Sequence, residues 1–190
     1  MKSSEFFSFE KQLIAMNLDS DLDSFKKIKE RLKNKKLLNS NEFARQAIYV
    51  VLSSGFSQKT AKKKHSEIMQ ALKNEESDLL SIFNNKNKIS AIKKLWQDRK
   101  KICDDYYKLS NLDLKLSYLL KLPHIGKITA NHLARNLGEN IFKRDVWIER
   151  LLKKYGEDLF DRLEKETSLP RGYIDVVLWK ACQNGLIKFP

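Results

Sequence analysis

The stretch Lys121-Leu-Pro-His-Ile-Gly126-Lys-Ile-Thr-Ala130-Asn-His-Leu-Ala-Arg135-Asn-Leu-Gly138, followed by Phe142-Lys-Arg-Asp145-Val-Trp147, decides how this chain is read. Pro123 cannot continue a helix and Gly126 permits a tight backbone path, so the segment predicts a turn between two amphipathic helices. The second helix is expected from about Lys127 to Leu137, with Ala130, Leu133, Ala134 and Leu137 inward and Gly138 as its stop. A short turn feeding a helix N-terminus leaves several backbone N–H groups pointing one way, a ready seat for a phosphate oxygen. Lys121 and Lys127 flank it with charge, and contacts of this kind hold a nucleic acid without reading its sequence. A Pro-Gly turn between helices also occurs where nothing binds. Asp145 adds the weight: it lies 17 residues beyond Ile128 and opens the next helix. The helix dipole favours a carboxylate there, so a plain N-cap is its simplest role. Hairpin, helix, glycine stop and acid together are more specific than any one of them.

Outward from this stretch, apolar residues recur at three- and four-residue spacing, and only six glycines and three prolines interrupt them. Both facts favour helices over strands. Ser40 or Asn41 can cap a helix burying Phe43, Ala44, Ala47, Ile48, Val51 and Leu52 and ending near Gly55. Ser57 can cap the next, with Ala61, His65, Ile68, Met69 and Leu72 on one face. Ser77 opens a short helical stretch through Phe83, and Ile89 to Tyr107 reads as one continuous helix. Ser110 with Asp113 resembles a capping box before Leu112, Leu116, Leu119 and Leu120. After Asp145, a helix with Ile148, Leu151 and Leu152 inward ends at Gly156, and a last one runs from about Ser168-Leu169-Pro170 to Gly185. The first 40 residues read as helical but less strongly patterned, with a lysine-rich stretch from Lys26 to Lys36.

Lys and Arg number 37 against 24 Asp and Glu, a formal charge of +13. That excess makes a polyanion the expected partner, nucleic acid before an anionic membrane surface. No apolar run approaches the roughly 20 residues of a membrane helix, and acidic residues stand where a signal peptide has its apolar stretch. Two cysteines, Cys103 and Cys182, make neither a disulfide framework nor a four-cysteine cluster. The three histidines lack metal-ligand spacing, so no catalytic metal is expected. These features describe a soluble cytoplasmic protein, associated with the nucleoid if the source is bacterial or archaeal.

The run LPHIGKITANHLARNLGENIFKRDVWIERLLKKYG resembles the helix-hairpin-helix and Gly/Pro-Asp region of the endonuclease III-type DNA glycosylase superfamily. The matching residues are Leu122, Pro123, Gly126, Thr129, Ala130 and Asp145. Upstream, FARQAIYVVLSSGFSQKTAKK is similar to the family's early helix and the loop after it. Ala130 to Gly138 and Ile174-Asp175-Val-Val-Leu-Trp179 are similar to archaeal-type 8-oxoguanine glycosylases. The resemblance spans about residues 40 to 185, with 122 to 152 its specific part. It implies an all-α helical glycosylase fold of two lobes, with the active site in the cleft between them. One lobe is then a helical bundle of about 40–150 carrying the hairpin at 122–126, and the other is 1–40 with 151–190, in a single unit without a linker.

The resemblance also implies roles. Asp145 is the catalytic carboxylate, and Lys121, His124, Ile125, Gly126, Lys127 and Ile128 hold DNA at the hairpin. The partner is double-stranded DNA containing a damaged or modified base, bound by a monomer. A monovalent cation on hairpin carbonyls belongs to the family, whereas its optional iron–sulfur cluster has no ligands here. Two departures matter. His124 replaces the first glycine of the hairpin, and Ile128 takes the place of the lysine that bifunctional members use as a Schiff-base nucleophile, a chemistry that needs an amine. A monofunctional hydrolase follows, like the adenine and mismatch-thymine branches that also lack this lysine. Phe56 and Gln58, in the loop after the early helix, stand where related enzymes insert a wedge into DNA; Phe56 is equally plausible as core. Trp147 and Trp179 can stack on a flipped base or serve the core, and His65 and His132 read as structural. Two rivals stay open: a glycosylase/lyase with a displaced lysine, Lys127 or Lys143, and a non-catalytic helix-hairpin-helix DNA-binding protein. For the substrate, 8-oxoguanine leads, with alkylated purines, deaminated pyrimidines and phage-type modified bases as alternatives.

Overall fold

The computed structural model of the chain describes residues 1–18, 37–75 and 78–189. The lysine-rich stretch from Lys26 to Lys36 and the cap expected at Ser77 lie outside the described residues. Those residues form ten helices and no strand: α1 (Ser3–Ala15), α2 (Ser40–Ser53), α3 (Gln58–Lys73), α4 (Lys86–Gln97), α5 (Arg99–Tyr107), α6 (Leu112–Leu119), α7 (Lys127–Leu137), α8 (Val146–Tyr155), α9 (Leu159–Thr167) and α10 (Arg171–Gln183). The all-helical expectation holds, and the chain divides into two compact units.

One unit, Leu37–Leu137, contains α2 to α7. Its centre is α2, packed by α3, α4, α5 and α7. The stripe expected from the sequence, Phe43, Ala44, Ala47, Ile48, Val51 and Leu52, is buried in full, and Val50 joins it because a helix packed on several sides needs a wider apolar face. His65 and His132 are both buried and both pack edge-on against Tyr49 (5.5 and 6.1 Å), and His65 Nε2 bonds the Arg45 carbonyl at 3.0 Å. Burial holds the His65 imidazole below its usual pKa, only partly opposed by that carbonyl bond.

The other unit contains α1 and the chain from Gly138 onward, α8 to α10. Here α10 is buried around nearly its whole length, from Gly172 to Leu178 and again at Lys180 to Cys182. Phe6 and Leu13 of α1, Ile148, Leu151 and Leu152 of α8, and Leu159, Phe160 and Leu163 of α9 complete this core. The hairpin and Asp145 thus belong to different units, each organised around its own buried helix.

Four local expectations need correction. The continuous helix from Ile89 breaks at Asp98 (φ −88°, ψ 7°), giving α4 and α5. The short helix ending at Phe83 is a single turn closed by the Phe83 N–H to the Leu79 carbonyl (3.1 Å). Caps fall on Asn39 and Asn111, whose side chains accept from the N–H groups of Glu42 and Leu114 (both 2.9 Å), because asparagine and serine compete for such positions on nearly equal terms. Finally, α9 was not foreseen: its apolar residues Leu159, Phe160 and Leu163 span little more than one turn, too short for periodicity to register.

Candidate active site and nucleic-acid surface

The hairpin forms as its sequence requires, with one change of role. After α6, the N–H groups of Lys121 and Leu122 bond the carbonyls of Tyr118 and Leu119 (both 3.0 Å), and the Ile125 N–H closes on the Leu122 carbonyl at 3.2 Å. Leu122 and Ile125 are buried and anchor the turn from inside. Lys121, His124, Gly126, Lys127 and Ile128 are exposed. The left-handed step of the turn falls on His124 (φ 58°) and not on Gly126, the residue expected to need backbone freedom. A Cβ added at Gly126 would meet nothing within 4 Å. Neither backbone strain nor internal packing therefore requires a glycine at that position.

Gly126 precedes α7 and its N–H donates to the Thr129 hydroxyl (2.7 Å), which donates in turn to the Gly126 carbonyl (3.0 Å). The N–H groups of Lys127, Ile128 and Thr129 find no acceptor among the described residues. They form the N-terminal end of an 11-residue helix, where the dipole favours an anion. A turn built of backbone carbonyls without a carboxylate suits a monovalent cation better than a divalent one. Most of the chain's net charge lies in this unit: Leu37–Leu137 holds 18 Lys and Arg against 9 Asp and Glu.

In the same unit Gly55 (φ 94°) turns the chain from α2 towards α3 and leaves Phe56 37% exposed. The Phe56 ring packs edge-on against Phe83 at 5.3 Å, with the Lys88 ammonium 5.8 Å from its centroid. Lys88 also donates to the Ser54 carbonyl, and burial pulls its pKa below the usual lysine value. Gln58 is half-buried at the start of α3, whose cap is Ser57 as expected (Thr60 N–H to Oγ, 3.2 Å).

In the other unit, Asp145 is the N-cap of α8. Its Oδ1 accepts from the N–H groups of Trp147 (3.0 Å) and Ile148 (3.2 Å), and its Oδ2 pairs with the Lys143 ammonium at 2.9 Å. The residue is 9% exposed. Lys143 lies two residues earlier on an extended strap, and its ammonium also sits 5.9 Å from the centre of the Trp179 ring. Trp179 is thus brought to the carboxylate through Lys143. The ring of Trp147 instead packs against Phe189 (6.2 Å) beside the Arg150 guanidinium (5.2 Å). Burial, reinforced by the charge of Asp145, pushes the Cys182 thiol up to about 12, which puts α10 near the carboxylate as well. Among the described residues no group of three or more His, Cys, Asp or Glu could hold a metal ion.

Sequence reasoning missed Asp175. It is fully buried on α10, and its Oδ2 accepts the Lys143 N–H at 2.8 Å. The signal was present: a lone carboxylate inside Tyr173-Ile-Asp-Val-Val-Leu178 must have a partner if that stretch is buried.

No protein-family profile matches the sequence, and no curated protein does. Among solved structures the chain is similar to Methanocaldococcus jannaschii 8-oxoguanine glycosylase/lyase in complex with a 15mer DNA containing 8-oxoguanine. The TM-score is 0.70 at 16% identity, covering 98% of this chain and 99% of that one. The fold of the chain is therefore that of a helical DNA glycosylase.

Proposed function

We propose that this chain, with the fold of a helical DNA glycosylase, removes a damaged or modified base from double-stranded DNA by hydrolysing its N-glycosidic bond. The observation that carries the reading is Asp145: a largely buried carboxylate fixed at a helix N-terminus by two backbone N–H groups, in a chain that also presents a basic helix-hairpin-helix turn. The hairpin anchors the DNA backbone through the open N–H groups of α7 with Lys121 and Lys127 beside them. The target nucleotide leaves the stack, since its glycosidic bond is inaccessible within a duplex.

As the bond from C1′ to the base breaks, its electron pair leaves with the base and positive charge builds on the sugar. Asp145 stabilises that charge and orients the water that adds to C1′, taking up the proton the water loses. Water is the nucleophile because Ile128 offers no amine. The name of the structural neighbour makes 8-oxoguanine the first substrate to try. On this reading the chain acts as a cytoplasmic monomer without a metal or cluster, Phe56 and Gln58 fill the gap in the duplex, and Trp179 lines the base pocket.

Asp145→Asn tests the acid without removing the cap, because asparagine caps a helix as well as aspartate. Single-turnover base release from a panel of single-lesion duplexes should fall by about 10²–10³-fold, with DNA affinity kept. Unchanged release would remove Asp145 from the chemistry. Absence of release by the wild type on every lesion would favour a DNA-binding module instead.

One observation favours a second reading. The Lys143 ammonium touches Asp145, so of the two lysines able to supply an amine, Lys143 is favoured over the exposed Lys127. Borohydride trapping on an abasic duplex separates the two: an adduct lost in Lys143→Arg would replace hydrolysis with glycosylase/lyase chemistry.

A further inference from the structure

The strap from Gly138 to Asp145 is non-helical yet held at three points. Asn140 donates to Glu164 Oε1 on α9 (2.7 Å) and accepts the Arg171 N–H at the start of α10 (3.0 Å). Phe142 stacks on Phe160 of α9, with ring centroids 4.0 Å apart and planes within 8°. Lys143 N–H donates to Asp175 Oδ2 at 2.8 Å. Immediately after this third anchor the Asp145 N–H bonds the Lys143 carbonyl (2.9 Å), a three-residue γ-turn that sets where the Asp145 side chain emerges.

The three anchors differ in cost. Asn140 is at the surface and Phe142 is an apolar stack, so both resemble ordinary packing. Asp175 is fully buried, and removing a carboxylate from water is expensive unless hydrogen bonds repay it. An apolar residue would suit the α10 core better on stability grounds. Asp175, Trp179 and Cys182 stand at i, i+4 and i+7, one stripe of α10. Trp179 meets the Lys143 ammonium, and Cys182 senses the charge of Asp145. That stripe is thus turned towards the strap that carries Lys143 and Asp145.

We propose that Asp175 is the positioning residue of this site: by gripping the Lys143 N–H it fixes the Lys143–Asp145 turn and so aims the Asp145 carboxylate. The inference rests on Asp145 being the catalytic acid. Asp175 touches neither substrate nor reacting atoms in this scheme and acts wholly through the strap.

The test compares Asp175→Ala with Asp175→Asn, whose amide oxygen can still accept the Lys143 N–H. Two readouts are taken well below the melting midpoint of each variant: hydrogen exchange at the Lys143 amide, and single-turnover base release at saturating enzyme. Asp175→Ala should expose the Lys143 amide and slow release by about tenfold to a hundredfold, the scale of an ångström of misplacement, while DNA affinity stays within about threefold. Asp175→Asn should retain protection and most of the rate. If Asp175→Ala does not fold, Asp175→Leu, an apolar residue of similar volume that cannot accept the Lys143 N–H, replaces it with the same expected exchange and rate loss. An exchanging Lys143 amide with an unchanged rate would overturn the proposal, as would a rate loss wholly accounted for by weaker binding. Asp145→Asn run in parallel separates the failures: if it keeps full activity, the reading of Asp145 falls, while exchange at Lys143 still reports whether Asp175 holds the strap.

Discussion

His124 occupies the left-handed region at φ 58° in a turn where the helix-hairpin-helix pattern it resembles has glycine, and this makes His124→Gly a quantitative test of the hairpin geometry. An L-residue in that region costs about 1–2 kcal/mol relative to the right-handed conformation. Glycine removes this cost but forfeits about 0.5–1 kcal/mol through the greater freedom of its unfolded chain. The His124 side chain is exposed, so little packing is lost with it. The net expectation is a stabilisation of about 0.5–1 kcal/mol. For a chain of 190 residues that is a rise of roughly 1–4 °C in melting temperature. His124→Ala is the control, since alanine keeps the strain and lacks the imidazole, and its melting temperature should match the wild type. Differential scanning calorimetry on the three proteins decides the matter. A glycine variant no more stable than the alanine variant would mean that residue 124 is not held left-handed.

Two further outcomes follow from single side chains. Ile128 is 49% exposed, so Ile128→Lys should fold normally and, with an amine now where the glycosylase/lyase pattern it resembles has its lysine, should trap more borohydride adduct on an abasic duplex than the wild type does; no gain would remove position 128 from the neighbourhood of the sugar. Burial lowers the His65 pKa in the folded chain, so below about pH 6.5 the unfolded state binds the extra proton and stability falls as the pH drops towards the folded value. His65→Gln, which can still donate to the Arg45 carbonyl, should flatten that slope in urea titrations at pH 5 to 7, and an unaltered slope would assign the proton to another group.

The helices that sequence periodicity located best are those with one sharply apolar face and a breaker at each end. α7 begins at Lys127 and ends at Leu137, as Pro123 with Gly126 and then Gly138 imply, and α8 lies between Asp145 and Gly156. Where the local signal was divided, tertiary structure decided. Asp98 is a residue type that can open a helix, but no glycine or proline stands near it, so the sequence marks the break between α4 and α5 only weakly. For a related reason the sequence points to Gly126 as the free-backbone residue of the hairpin, whereas the positive φ falls on His124. Glycine is the default left-handed residue, but histidine also visits that region, and in this turn the position after proline needs it while Gly126 does not.

That Gly126 needs neither a positive φ nor the room a missing Cβ leaves sharpens the account of the site. A glycine unexplained by the folded chain, beside three open N–H groups and two exposed lysines, is explained if something outside the chain approaches the backbone there. Asp145 poses the opposite case, because the fold explains it completely as an N-cap, and capping was its plainest reading from sequence alone. The two roles are compatible. The bonds from Trp147 and Ile148 hold Oδ1, leaving Oδ2 with the single Lys143 ammonium. A carboxylate fixed through one oxygen and paired through the other is pre-organised for a positive charge that develops nearby, and it needs no rearrangement of the backbone to meet it. What spacing in the sequence cannot convey is the strap before it, because its anchor Asp175 lies 32 residues from Lys143 and meets it only once α10 is buried.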